Sequence, residues 1–566
     1  MSRWALLIAS IISSSLSSYS QTWCGKNYLK GHPIIPPDGA FHVPSVSSQP
    51  RVSLRCVPRI QPYLEDGTVQ QPTMLVGAYS HSEESPDAHP IDPLMIPDLD
   101  NTQIYVELWA HNHRLAKRHL SLGEVNVEVP FSFGHLTPQG SPYLVECIAR
   151  LKSLNHEQVI RTNASLFYLP TPNIGSVTKV DRLTGALLAR PIAQKDRPYE
   201  EIFPLGFYTS FGNYLDSNLT ILDEVKAQGF NLVHPVPPFE DITALNRILD
   251  RMEELGLYLV YDMRHSYQNH DALLQEVATI KDRSNLLLWY TADEPDGPNN
   301  PINTLQSAYE AIYSLDGYHP VSIALNCADY RFAQYVEWSD IVTADTYMIG
   351  NDVKHSLKYD TPCTPQFGCC GCDNCLGDFS DISSRLDSYG ARLRILGWDQ
   401  TKVVWSVTQA FGGEEFWTRA PTGREWLVQA LLSINHGARG IMPWLDPTPP
   451  EIKAAASSFA RIIGPVKQFL FNPKATVLPL AHDATQSRVD AKTWTVGRET
   501  LLLAVNLDNK PNTFPRKWTG IKTTQWLLKE DVQGTHYPNG DVQLTFGSLG
   551  AVAVILVENA RMYDEL

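Results

Sequence analysis

Apolar and polar positions alternate in short runs through the first third of the chain. "RVSLRCV", "QIYVELWA", "VNVEVPFSF", "YLVECIARL" and "RTNASLFYLP" show the two-residue period of half-buried strands. Turn residues and prolines separate them, which predicts an antiparallel β-sandwich over residues 21–180. "PTPNIGSVTKVDRLTGALLARP" (Pro170–Pro191) reads as an ordered linker. From about residue 200 the rhythm changes, and apolar runs alternate with segments of helical period. The runs are "PLGFYTSF" (204–211), "FNLVHPV" (230–236), "LYLVYDM" (257–263) and "NLLLWYTADE" (285–294). "PVSIALN" (320–326), "DIVTADTYM" (340–348), "TKVVWSVTQA" (401–410) and "RGIMPWL" (439–445) follow. Beyond about 470 the helical period disappears, and runs such as "ETLLLAVNLDN" and "DVQLTFGSLGAVAVILVE" predict a second, smaller antiparallel sandwich.

The intervening segments carry helix signals. "DITALNRILDRMEELG" (Asp241–Gly256) has an Asp to cap its start and a Gly just past its end. "TGREWLVQALLSINHGA" (Thr422–Ala438) repeats apolar residues at three- and four-residue spacing. Eight strand–helix pairs in about 270 residues match a (β/α)8 barrel. A doubly wound open sheet would carry a glycine-rich first turn, and "GFYTSFGNY" lacks that fingerprint. The expected architecture is an α/β TIM barrel, residues 181–470, with a cysteine-rich insertion at 351–378. An N-terminal β-sandwich (21–180) and a C-terminal one (471–566) flank it.

Composition narrows the partners. With 43% hydrophobic residues the chain can bury large cores, and its net charge of −15 denies it the basic face that nucleic acid or an anionic membrane requires. No later segment reaches the roughly 18 apolar residues of a membrane span. Met1-Ser2-Arg3, the apolar run "WALLIASII" and the small residues "SSSLSSYS" make residues 1–20 a secretory signal peptide. Secretion is the expected destination, with ER retrieval through the closing "YDEL" as the lesser alternative. Sequons at Asn163 and Asn218 fit a secreted glycoprotein. Of nine cysteines, five crowd into "CTPQFGCCGCDNC" (Cys363–Cys375). Cys372 and Cys375 have the spacing of a metal knuckle, but an oxidising compartment favours a disulfide-stapled loop, so no metal and no cofactor are expected. Cys327 is placed with that network, Cys24, Cys56 and Cys147 with the N-terminal region, and the odd thiol with the vicinal pair Cys369 and Cys370.

A barrel of this type concentrates function at the C-terminal ends of its strands. Those ends offer Tyr208, His234, Asp262 with Arg264, Tyr290 with Asp293 and Glu294, Asn326, Asp345 with Tyr347, Gln409 and Trp444. Carboxylates, an Arg, a His and amides among Trp and Tyr describe a sugar site: aromatic faces stack on pyranose C–H surfaces, and polar groups bind hydroxyls. The partner expected is an oligosaccharide or polysaccharide. Each residue has a plainer reading. His234 suits a satisfied barrel-top histidine, Asp262 and Arg264 an ion pair, Trp444 a core residue, and Glu414 and Glu415 a solvated loop. Asp293 and Glu294 are harder to explain away, because adjacent acids closing an apolar strand are costly unless used.

"LLLWYTADEPDG" resembles the fourth-strand motif of the large clan of retaining (β/α)8 glycoside hydrolases, in which a strand ends Asn-Glu-Pro and the Glu is the general acid/base. Asp293 here stands where the clan has Asn, and the resemblance makes Glu294 the acid/base. The chain also resembles a group of secreted fungal proteins of that superfamily, in stretches such as "LTGALLARP", "TADEPDGP" and "INHGARG". One departure matters: the clan's nucleophilic Glu lies on the seventh strand, where "VWSVTQAFGG" offers only Gln409. Three repairs follow. Asp345, or else Glu414 or Glu415, supplies the second carboxylate, with Asp345 favoured because it ends a strand. Alternatively Asp293 assists a substrate 2-acetamido group while Glu294 donates the proton. In the third the barrel binds sugar without cleaving it.

Overall fold

The computed structural model describes residues 22–67, 71–96, 102–153, 156–194, 196–480 and 487–558. The expected signal peptide (1–20) and the closing YDEL lie outside the described residues.

Seven parallel strands neighbour one another in chain order: Tyr208–Ser210, Leu232–Val236, Tyr258–Asp262, Leu286–Asp293, Val321–Leu325, Ile341–Asp345 and Val403–Val407. Residues 439–446 take the eighth place. Parallel bridges join Ile441 to Ser406 and to Leu205, and Asp446 to Thr209, so the sheet closes on itself. Asp446 N donates to Tyr208 O at 2.7 Å and Ser210 N to Asp446 O at 2.8 Å across the seam. Because successive strand residues point to opposite faces, each strand divides between two cores. Leu232, Val260, Leu288, Tyr290, Trp405 and Met442 fill the barrel interior. Leu259, Trp289, Ile323 and Val342 pack outward beneath the helices.

The helices begin and end where their capping chemistry requires. Ile242–Leu255 starts at Asp241, whose side chain accepts from Ala244 N, and stops at Gly256 in the left-handed conformation, φ 67°. Gly423–Asn435 opens with a reciprocal capping box between Thr422 and Glu425.

Ahead of the barrel, two four-stranded antiparallel sheets share one core that includes Val52, Leu54, Val76, Val106, Leu108 and Val145. The expected linker is itself sheet. Thr178–Asp181 and Ala186–Ala189 pair as a hairpin between Ile60–Gln61 and Glu200–Ile202, tying this region to the barrel entry. After the barrel, six antiparallel strands from Thr476 to Glu558 form one hydrogen-bonded sheet. One of its faces, with Leu501, Leu503 and Ala553, joins the core under the barrel helices. The other, with Leu502, Phe546 and Val554, encloses a core of its own.

Three disulfides are present. Cys363–Cys370 and Cys372–Cys375 staple the insertion loop, so the knuckle-spaced pair is a disulfide. The placement of Cys327 and Cys24 needs correcting. Cys327 does not join the loop but pairs with Cys24, 303 residues earlier in the chain. The hairpin that carries Cys24 (Thr22–Trp23 with Lys26–Asn27) lies on the barrel mouth, where Cys24 N donates to Gly297 O at 2.9 Å. Among the described residues Cys56, Cys147 and Cys369 are unpaired.

Candidate active site

Two adjacent acids on a regular strand would point to opposite faces. The fourth barrel strand avoids this with a register shift between Tyr290 and Ala292 and a left-handed step at Glu294, φ 47°. A non-glycine residue in that region is a strained one, of the kind that accumulates at functional sites. The step lets both carboxylates reach the mouth. Alternation also separates the two aromatics before them. Trp289 points outward, its Nε1 donating to Asp316 at 2.7 Å, and Tyr290 points into the barrel.

Asp293 is fully engaged. One oxygen accepts from Arg264 Nη1 at 2.6 Å and the other from Tyr290 Oη at 2.5 Å. Arg264 Nε reaches Asp262 at 2.8 Å, and the same Asp262 oxygen meets His234 Nε2 at 2.8 Å. Burial works against the Arg264 charge, but Asp293 and Asp262 outweigh it and push the guanidinium higher still. Burial lowers His234, which fits a neutral imidazole. Tyr208, Tyr290 and Trp444 surround the guanidinium at 5.9, 5.6 and 5.0 Å from their ring centroids. The ladder is thus a buried charge network in which every charge has a partner. Arg264 Nη2 and His234 Nδ1 remain without a hydrogen-bond partner.

Glu294 meets a different partner. Its carboxyl neighbours that of Asp345 from the sixth strand, whose Oδ1 is buried without a hydrogen-bond partner. It also accepts from Asn326 Nδ2 at 2.9 Å. Burial, then Asp293 and Asp296, push Glu294 up to about 8. Burial, then Glu294 and Asp293, push Asp345 well above the usual carboxylate range. Two neighbouring carboxyls cannot both ionise easily, so each holds the other above the usual carboxylate range. Their exposure differs: Asp345 is 4% exposed and Glu294 is half-buried at the mouth. Glu294 is the more accessible of the two carboxyls.

Most of the residues expected at strand ends therefore converge. Tyr208, His234, Asp262, Arg264, Tyr290, Asp293 and Trp444 form one side, and Glu294, Asn326, Asp345 and Tyr347 the other. Gln409 does not join them. It is fully buried, and its amide is used up on the backbone of Ile349 (2.9 Å in both directions) and Phe411 (3.3 Å), so it holds the loop after the sixth strand in place. Glu415 pairs with Lys358 at 2.5 Å in the loop beyond.

Two residues outside the expected set belong to this site. Asp296, fully buried, accepts from the backbone N–H of Cys327 (2.8 Å), Gly297 (3.1 Å) and Asn326 (3.2 Å), and so fixes the end of the fifth strand. Trp23 Nε1 donates to Asn326 Oδ1 at 2.9 Å, which turns the Asn326 amide group toward Glu294. The third carboxylate of the "DEPD" run was a visible signal for Asp296; nothing in the sequence pointed to Trp23.

No protein-family model matches the chain, and no curated protein matches it. Solved structures that resemble it include a β-D-glucuronidase of Dictyoglomus thermophilum, at 12% identity over 70% of this chain and 61% of that one, TM-score 0.33. A debranching enzyme of Nostoc punctiforme matches at 11% identity over 60% of this chain and 88% of that one, TM-score 0.40. A glycoside hydrolase family 30 subfamily 8 xylanase of Clostridium acetobutylicum matches at 10% identity over 62% and 95%, TM-score 0.38. The chain thus spans less than two thirds of the length of the glucuronidase. Likenesses at these TM-scores carry neither fold nor activity to this chain, and both rest on the geometry above.

Proposed function

We propose that this protein is a secreted glycoside hydrolase acting on a cell-wall or extracellular glycan, with Glu294 as general acid/base and Asp345 as the second carboxylate. The carrying observation is the pairing of a half-buried and a fully buried carboxyl at the mouth of a closed barrel, ringed by Tyr, Trp and Arg. The disulfides fit the oxidising compartment that secretion implies. In the working form the pair holds one proton and one negative charge. Glu294 passes the proton to the glycosidic oxygen as the C–O bond breaks and its electron pair leaves with that oxygen. The charge left on the carboxylates stabilises the oxocarbenium-like carbon; water then adds to that carbon and gives a proton to the carboxylate pair, which returns it to one proton and one charge.

Flanking carboxyls stand about 5–5.5 Å apart in retaining enzymes and about 6.5–9.5 Å apart in inverting ones. Glu294 and Asp345 interact in the free protein, and the separation they take around a bound sugar decides the stereochemical outcome. In a second reading a 2-acetamido group of the substrate replaces the protein nucleophile. Both Asp293 oxygens are engaged by Arg264 and Tyr290, so the assisting role would fall to Asp345.

A panel of 4-nitrophenyl glycosides, with and without a 2-acetamido group, tests both readings. Turnover lost in Glu294→Gln and reduced by several orders of magnitude in Asp345→Asn supports the assignment, and full activity in Asp345→Asn removes Asp345 from it. Activity confined to 2-acetamido sugars selects the second reading. Oligosaccharide affinity without any turnover means a sugar-binding barrel that does no chemistry.

A further inference from the structure

On the Asn326 side of the catalytic pair lies a cavity of ≈180 Å³ that the mechanism above does not use. Trp23, Lys26 and Asn326 line it from one direction, and Cys369, Asp373 and Asn374 of the cysteine-rich loop from the other. These walls are distant in sequence and firmly joined. Gly368 N donates to Asn27 O at 2.7 Å, Thr361 Oγ1 to Tyr28 O at 3.0 Å, and the Cys24–Cys327 disulfide anchors the hairpin to the fifth strand. Lys26 and Asp373 form a buried ion pair in the wall, and Lys26 Nζ also reaches Asn374 Oδ1 at 3.3 Å. An indole face and the Asn374 amide beside a neutralised ion pair, in a concave space, combine an apolar surface with polar groups for hydroxyls. That is the chemistry of a sugar residue.

The wall is also mechanically linked to the proton donor. Trp23 donates to Asn326, and Asn326 donates to Glu294, each at 2.9 Å. Both polar atoms of the Asn326 amide are consumed in this chain of bonds. Without the indole N–H, Asn326 Oδ1 loses its donor, because the nearby Cys24 sulfur is in a disulfide and has no hydrogen to give, and the amide is free to turn its oxygen toward the carboxyl.

We infer that the cavity between the N-terminal hairpin and the cysteine-rich loop is a subsite for one sugar residue of an extended substrate, and that Trp23 is a positioning residue for Glu294 acting through Asn326. This rests on the glycosidase reading of Glu294, and the test keeps the two apart. Wild-type protein is assayed on a 4-nitrophenyl monoglycoside and on the matching di- to tetrasaccharides. Any turnover of the monoglycoside supports the glycosidase reading alone, and no turnover of any substrate overturns both.

Leu376 lines the rim of the cavity and is 78% exposed, so Leu376→Trp narrows the cavity without disturbing a core. The expected result is that kcat/KM for the trisaccharide, divided by that for the monoglycoside, falls toward 1. A ratio equal to wild type in a variant that turns over the monoglycoside overturns the subsite. Trp23→Phe keeps a ring and removes the N–H. A fall in kcat of roughly tenfold to a hundredfold is expected. The rise of kcat/KM with pH should also move to higher pH, because the Asn326 bond holds Glu294 down. An unmoved pH profile overturns the positioning role even if stability falls.

Discussion

Replacing Asp293 by Asn removes the charge beside Glu294 and keeps the side-chain shape. After burial, Asp293 is the largest reason that Glu294 sits at about 8. Carboxylates on neighbouring residues, taken as about 6 Å apart at an effective dielectric of about 20, repel by roughly 2.8 kcal/mol, or about 2 pH units. Arg264, bound to Asp293 at 2.6 Å, already offsets part of that field, which leaves a net effect of roughly 1 pH unit. In Asp293→Asn the carboxyl pair therefore releases its first proton nearer pH 7. The working form carries one proton and one charge, so kcat/KM of the wild type rises with pH through about 8. In the variant the same rise occurs about 1 unit lower. At pH 7 the variant is then the faster enzyme. Arg264 keeps its bond to Asp262, so the stability cost is limited to about 1–3 kcal/mol. The assay is kcat/KM on an aryl glycoside across the pH range, since that ratio reports the free enzyme. A profile that stays in place or moves upward refutes the electrostatic role of Asp293. Loss of activity at every pH in a folded variant refutes it too, by making Asp293 a participant in the chemistry.

Three further outcomes follow from single sites. His436 bridges Asp387 of the helix Ser380–Leu396 (2.9 Å) and Asp490 of the strand Val489–Val496 (3.0 Å), joining the barrel to the C-terminal sheet. Burial pulls its pKa down, but the two aspartates outweigh burial and raise it to about 9. The bridge therefore contributes fully below the unfolded value of about 6.5 and is lost as pH rises through about 9, with about 3 kcal/mol as an upper bound. The Tm should fall between pH 7 and pH 10, and a His436→Asn variant should lose that component of the fall; equal falls in both would remove His436 as its source. Asp296→Asn puts amide hydrogens against backbone N–H groups of the fifth-strand turn, so it should lower stability by about 1–3 kcal/mol in thermal unfolding; an unchanged Tm would contradict the contacts. Burial pushes the Cys369 thiol up to about 11, so its alkylation by iodoacetamide should be slow at pH 8 and accelerate about tenfold per pH unit; fast labelling at pH 7 would contradict the burial.

The barrel was legible because its apolar runs are long, and each is followed by a segment with its own capping residues. Asp241 and Gly256 bound their helix within one residue of the expected limits. Strand ends located the side chains that gather at the mouth wherever they point inward, which parity sets locally, as with Tyr208, Asp262 and Asp345. That reading failed at Gln409, because the backbone after the sixth strand folds back over the seventh and captures the amide, a contact 60 residues apart. Trp23 was invisible for the same reason. A bond spanning 303 residues exists only once the barrel has formed and the hairpin has docked on it. The left-handed step at Glu294 lies between these cases. The adjacency of the acids was plain, but the backbone turn that lets both face the mouth was not.

The central claim, that Glu294 delivers a proton to a departing sugar oxygen, is tested most directly by leaving-group dependence in Glu294→Gln. General acid catalysis contributes roughly 10²–10⁴-fold. It is needed for a poor leaving group such as an alkyl or sugar alcohol and is dispensable for 2,4-dinitrophenolate. The account predicts that Glu294→Gln loses about that factor on the poor leaving group and keeps the rate of the step that expels dinitrophenolate. An equal loss on both substrates, or no loss on either, would contradict it.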